Sequence, residues 1–201
     1  MTRRLLRISI AALLASALPT LSAAAPGAPA PKAAGDGAYR VSFVGTLADL
    51  GDRLPRQTTQ PVKIWIDRLT SDSEAEHLSE VVRAKGQNAL EQALFEDSVG
   101  RLQIGDRLGY PIAFARRFVD ADGEHLLLIA QRPISFREIF RNTRSRDYPF
   151  TVVELDLDVS GHGSGEVLSA ARIRTRRNGE IELLNLDVRA GRLLAVAPVG
   201  G

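Results

Sequence analysis

Apolar and polar positions alternate with a period of two through most of the chain after residue 38, and such spacing among β-branched and aromatic residues predicts strands. Tyr39, Val41 and Phe43 alternate with Arg40, Ser42 and Val44, giving a first strand that ends near Thr46. Val62, Ile64 and Ile66 oppose Lys63, Trp65 and Asp67 in a second strand over 62–69. Ile112, Phe114 and Phe118 alternate with Ala113, Ala115 and Val119; after the turn at 120–123, the run 126–130 is apolar at every position. A short run of that kind fits a strand covered on both faces, so this hairpin belongs near the middle of a sheet. Pro133 then stops the pairing.

The C-terminal third repeats the alternation. Val153, Leu155, Leu157 and Val159 are apolar against Glu154, Asp156 and Asp158, and Val167, Ala171 and Ile173 oppose Arg172, Arg174 and Arg176. Asn178-Gly179 predicts a two-residue hairpin turn that pairs Arg177 with Glu180 and Ile173 with Leu184. A second tight turn at Ala190-Gly191 would pair Val188 with Leu193 and Leu186 with Ala195. Both registers keep the apolar residues on one face, which predicts a four-stranded meander ending at Ala197.

The longest helical spacing lies between the second of these strands and the central hairpin. Ser71-Asp72-Ser73-Glu74 is a capping box, with Ala75, Leu78, Val81 and Val82 as the apolar stripe of a helix ending near Gly86. Asn88 and Glu91 repeat the device for a shorter helix whose Leu90, Ala93 and Leu94 face the core. A helix pair between strands covers one face of an antiparallel sheet. The reading is therefore an α+β domain: a largely antiparallel sheet of seven or eight strands, open or curled toward a barrel, with a helix pair on one face.

The connector after Pro133 carries the densest surface chemistry. Ser135 and Glu138 can cap a helical turn that places Phe136, Ile139 and Phe140 on one side, and Arg137, Arg141, Arg144 and Arg146 lead to Asp147 and Tyr148. These six, Arg137, Arg141, Arg144, Arg146, Asp147 and Tyr148, form the candidate ligand-binding set, because guanidinium forks match phosphates, anionic glycans and acidic loops. The structural alternative is that Arg144 and Asp147 tie the connector to the core. The blocks Arg132-Pro133-Ile134-Ser135-Phe136 and Arg144-Ser145-Arg146-Asp147-Tyr148-Pro149-Phe150-Thr151, with Glu154, resemble a family of secreted bacterial proteins that carry RPISF and RSxDYPFT blocks. The resemblance runs from about Val62 to about Leu186. It implies a grouping, and supplies neither a reaction nor a catalytic residue.

Residues 1–24 have the build of an export signal: Arg3, Arg4 and Arg7, an apolar stretch over 8–18 too short to span a bilayer, then small residues. Thr2-Arg3-Arg4-Leu5-Leu6 also matches part of a twin-arginine signal. Residues 25–37, rich in Ala, Pro and Gly, read as a disordered tether, and 38–199 as a single domain. These features predict a periplasmic or secreted protein with no stable membrane span once the signal is cleaved. Taking the three signal arginines from 26 Lys and Arg leaves 23 against 24 Asp and Glu, a charge of −1 that argues against nucleic acid as partner. The chain has no cysteine, which excludes disulfides and thiol catalysis.

Other constellations are weaker. The stripe Glu154, Asp156, Asp158 is expected beside the stripe Arg172, Arg174, Arg176, either as a polar groove or as a solvated face of cross-strand ion pairs. Paired carboxylates roughly 5–9 Å apart can cleave glycosides, but adjacent arginines would lower their pKa, against the need of a general acid. Gly161-His162-Gly163-Ser164-Gly165 lacks the strand-to-helix setting of a nucleophile elbow, and Asp120-x-Asp122-Gly123-Glu124 lacks the later ligands of a calcium loop. His77, His125 and His162 share no metal spacing. Trp65 is a ligand platform or packs beneath a helix. The sequence thus points to a non-catalytic envelope module with no metal or cofactor, binding an envelope ligand or protein. The alternatives are a hydrolase of an envelope polymer acting through Glu138, Asp147 or the acidic stripe, and a carrier with an apolar pocket.

Overall fold

Strand-forming alternation and one capped helical segment give ten strands and two helices among the described residues. These residues are 32–33, 39–48, 59–106, 108–121, 123–131, 147–176, 178–185 and 190–199 of a computed structural model. The strands are β1 Lys32–Ala33, β2 Val41–Ala48, β3 Gln60–Ile66, β4 Gly100–Ile104, β5 Tyr110–Val119, β6 Glu124–Ala130, β7 Phe150–Leu157, β8 Gly163–Thr175, β9 Ile181–Asn185 and β10 Gly191–Pro198; the helices are α1 Asp72–Lys85 and α2 Gln87–Phe95. All strand pairings are antiparallel.

The sheet closes. Strands run β5-β4-β3-β2-β10-β8-β7-β6, and β6 pairs with β5 again, making an eight-stranded barrel; β1 adds to β5 and β9 to β8. A barrel of this size leaves an interior that side chains can fill. Phe43, Ile64, Leu102, Ile112, Leu128, Leu155 and Leu193 are among those that fill it, each buried. A second apolar layer lies outside the wall, where Ala75, Val82, Leu90 and Leu94 of the helices pack on Phe114, Phe118, Leu127, Ile129, Val152 and Ile173.

Ser71 caps α1 as its sequence predicts: Glu74 N–H donates to Ser71 Oγ at 3.2 Å, and Ser71 N–H to Glu74 Oε2 at 2.7 Å. Asn88 does not cap α2. The helix starts two residues earlier than that cap would place it, directly after Gly86, and has no side-chain cap. Gln87 at its first position is occupied instead: its Oε1 accepts from Ile173 N–H at 3.1 Å and its Nε2 donates to the Asp147 carbonyl at 3.3 Å.

Two bulges change the faces that strict alternation predicts. Ile112 pairs with Ala130 but Phe114 with Ile129, so β5 carries one extra residue. Ile112 consequently points into the barrel while Phe114 and Phe118 lie beneath the helices. In β8 the same shift falls between the Val152–Leu168 and Phe150–Ala171 pairs. Val167 lines the interior, and Ala171 and Ile173 face the helices. Each bulge bends its strand and lets it serve both cores.

The predicted four-stranded meander is corrected twice. Ile173 pairs with Leu183 and Arg174 with Glu182, one residue away from the two-residue-turn register. The connecting loop is three residues long, with Arg176 and Glu180 bonded across it and Gly179 at φ 83°, a left-handed conformation that closes such loops. β10 does not pair with β9: it lies between β8 and β2, with Leu193 opposite both Gly165 and Leu47. Leu186 and Val188 lie outside the described residues. Closing the barrel uses both edges of β10, which is why a local turn does not decide its partners. Val159, assigned to the apolar stripe of β7, is 91% exposed. There Asp158 Oδ1 accepts from Ser160 N–H at 2.7 Å and His162 N–H at 3.1 Å, turning the chain into β8.

A candidate binding groove over Trp65

β3 alternates Val62, Ile64 and Ile66 into the barrel with Lys63 and Trp65 outward. The two described helices cover the wall formed by β5 to β8, so among the described residues no helix lies over Trp65, where the sequence offered packing beneath a helix as the alternative. Its neighbour is β4, a strand with no counterpart in the predicted elements. Trp65 lies directly opposite Arg101, and Lys63 opposite Gln103. The alternation of Leu102 and Ile104 was the available signal for this strand.

Trp65, Asp67, Arg101, Gln103, Leu108 and Pro111 border an open groove of about 620 Å³ on the outer wall. Its floor is shaped at Gly109, where a Cβ would stand 2.4 Å from Arg101 Cδ; glycine lets the arginine stem lie flat. Leu108 at the rim is 93% exposed. Trp65, Asp67, Arg101 and Gln103 line the groove, and among the described residues their side chains make no hydrogen bond or ion pair.

Elsewhere several charged side chains are paired. Arg116 is buried beneath the start of α1, bonded to Asp72 at 2.6 Å and the Thr70 carbonyl at 3.1 Å. Arg117 pairs with Glu124 at one end of the barrel, with the Tyr39 ring centroid 5.1 Å from the guanidinium. That arginine holds the Glu124 carboxyl below its ordinary range, while burial and then Glu124 push the Tyr39 phenol up.

The acidic and arginine stripes do not meet. Arg174 and Arg176 bond Glu182 at 3.0 and 2.7 Å and, Arg176 first, hold it down to about 2. Opposite Glu154 stands Glu166 on one side and Leu127 on the other. Burial first, then Glu166 and Asp156, push Glu154 up to about 7, which reverses the lowering expected from adjacent arginines, and its Oε1 has no partner. Asp156 instead bonds His125 Nδ1 at 2.6 Å, and Asp120 bonds Nε2 at 3.0 Å, raising the histidine pKa. Asp120 also closes the β5–β6 turn, accepting from Gly123 N–H at 3.1 Å. In the β7–β8 loop Ser160 Oγ donates to Asp158 at 2.5 Å, so its proton is held by the carboxylate and not by His162, 3.0 Å away.

Of the sequence-predicted site, Arg137, Arg141, Arg144 and Arg146 lie outside the described residues, as does Glu138. Asp147 is exposed and Tyr148 half-buried where the chain enters β7. Beneath the helices an apolar crevice of about 20 Å³, lined by residues such as Leu78, Leu94, Phe114 and Leu127, has room for about one water. No group of three metal-ligating side chains converges among the described residues, and no helix among them is long and apolar enough to cross a membrane. Fold and groove together define a closed antiparallel barrel with a helix pair on one stretch of wall and a ligand-sized groove on another. No family model, curated protein or solved structure matches the chain.

Proposed function

We propose that the chain is a non-catalytic, exported module of the cell envelope that binds a ligand in the groove over Trp65. The observation that carries this is the groove itself. Its volume, about 620 Å³, lies in the about 300–1,000 Å³ range of small-molecule sites, and it joins an accessible indole to polar side chains that bond to no other side chain among the described residues. The export-like residues 1–24 and the resemblance to secreted bacterial proteins support the compartment. The connector arginines, Asp147 and Tyr148 are a second surface for the same role.

Thermal melts of the purified protein with calcium, cell-wall fragments, phosphorylated glycans and lipids test the proposal. One class raises the melting temperature saturably, since a ligand at 100 times its Kd adds about 2.7 kcal/mol to the native state. Trp65→Ala abolishes that rise. A rise that survives in Trp65→Ala, or no rise with any class, overturns the assignment to this groove.

One observation favours a hydrolase as the second reading. Glu154 is a carboxyl that burial, then Glu166 and Asp156, push up to about 7, and among the described residues no arginine pairs with it, as a general acid requires. Turnover of an envelope polymer that Glu154→Gln abolishes would establish it.

A further inference from the structure

We infer that the groove takes a saccharide ring bearing an anionic group, a carboxylate or a phosphate; this rests on the groove being the binding site. Trp65 and Arg101 are direct cross-strand partners on the same outward face, which brings their Cβ atoms within about 5 Å. A pyranose lying on the indole would present its C–H face to the ring and its edge to the guanidinium. Gln103 is one step along β4 on that same face, opposite Lys63, and Asp67 follows β3 beyond Trp65. An amide and a carboxylate on either side of the indole suit hydroxyls, which both donate and accept. The guanidinium fork suits a carboxylate or phosphate, because two parallel bonds to one anion are geometrically matched.

Simpler ligands fit less of the groove. A wholly apolar ligand would strip water from Arg101, Gln103 and Asp67 without replacing its hydrogen bonds. A small inorganic anion would leave Trp65 uncovered, and Leu108 93% exposed beside it. An acidic sugar uses both halves.

Trp65 is the only tryptophan in the chain, so its emission reads the groove without another contributor. The purified protein is titrated with an oligoglucuronide, with glucose 6-phosphate, and with a neutral oligosaccharide of the same length as the first. An acidic ligand shifts the emission saturably, and the neutral one binds at least tenfold more weakly, since a hydrogen bond to a charged group contributes about 1.5–3 kcal/mol. Whether the glucuronide or the phosphate binds more tightly identifies the anion. Arg101→Gln, an exposed position, keeps the fold and the reporter and removes the preference for the acidic ligand. Equal binding of neutral and acidic sugars overturns the anionic class while leaving the groove in place. Calcium and lipid vesicles are titrated in parallel, and either one shifting the emission where no sugar does overturns the saccharide and again spares the groove. Silence of Trp65 toward every probe overturns both.

Discussion

At the scale of single residues, Glu154 is the group whose chemistry departs furthest from its surroundings. Cross-strand pairing sets it against Glu166 and Leu127, and burial with two neighbouring acids pushes its carboxyl to about 7 from an ordinary 4.5. Between those values the folded state keeps a proton that the unfolded chain has released. Stability therefore falls as pH rises from about 4.5 through about 7, and the penalty is full above that window. Glu154→Gln removes it, raising stability at pH 8 by on the order of 1 kcal/mol, because water still reaches part of the group. At pH 4 it changes little; urea denaturation at the two pH values checks this. His125 acts in the same direction. Its raised pKa, due first to Asp156 and then to Asp120, stabilises the fold fully below about 6.5 and ceases to do so as pH rises through the folded value. The acidic stripe was visible in the sequence, but its partner was not, since that depends on which half of β8 lies beside β7.

At the scale of elements, local rules succeeded where the bonds are local. The Ser71–Glu74 box spans four residues, and its geometry appears as the sequence predicts. Ser71→Ala removes the acceptor for Glu74 N–H and costs about 1 kcal/mol, read as a lowered urea midpoint. Alternation identified β2, β3, β5, β6, β7 and β8, yet misplaced the faces in β5 and β8 because a single bulge residue inverts everything beyond it. Arg101 is not legible as a groove residue from the sequence, because β4 is only five residues long. Its Leu102 and Ile104 were the sole apolar pair to mark it. Trp65 was visible as a candidate, but which wall the helices cover is a tertiary fact.

At the scale of the whole molecule, closure of the sheet gives a packed interior, and the proposed site lies on the outer wall. An eight-stranded barrel can be filled by side chains or can hold one small ligand; here buried side chains such as Leu102, Leu128 and Leu155 fill it, and the groove we propose as the binding site lies on outer wall that neither described helix covers. Leu155 is fully buried inside the barrel, and Leu155→Ala should cost about 2–5 kcal/mol through lost burial and the remaining cavity, measured by urea denaturation. The same substitution should leave ligand affinity at Trp65 unchanged in whatever fraction stays folded. The central claim is the position of the site, and amide chemical-shift mapping during a titration with acidic cell-wall saccharides tests it most directly. Perturbations centred on Trp65, Asp67, Arg101, Gln103 and Leu108 are the predicted result. Perturbations centred on 132–148, or on Glu154 and Glu166, would contradict it and move the site to the connector or to the acidic face.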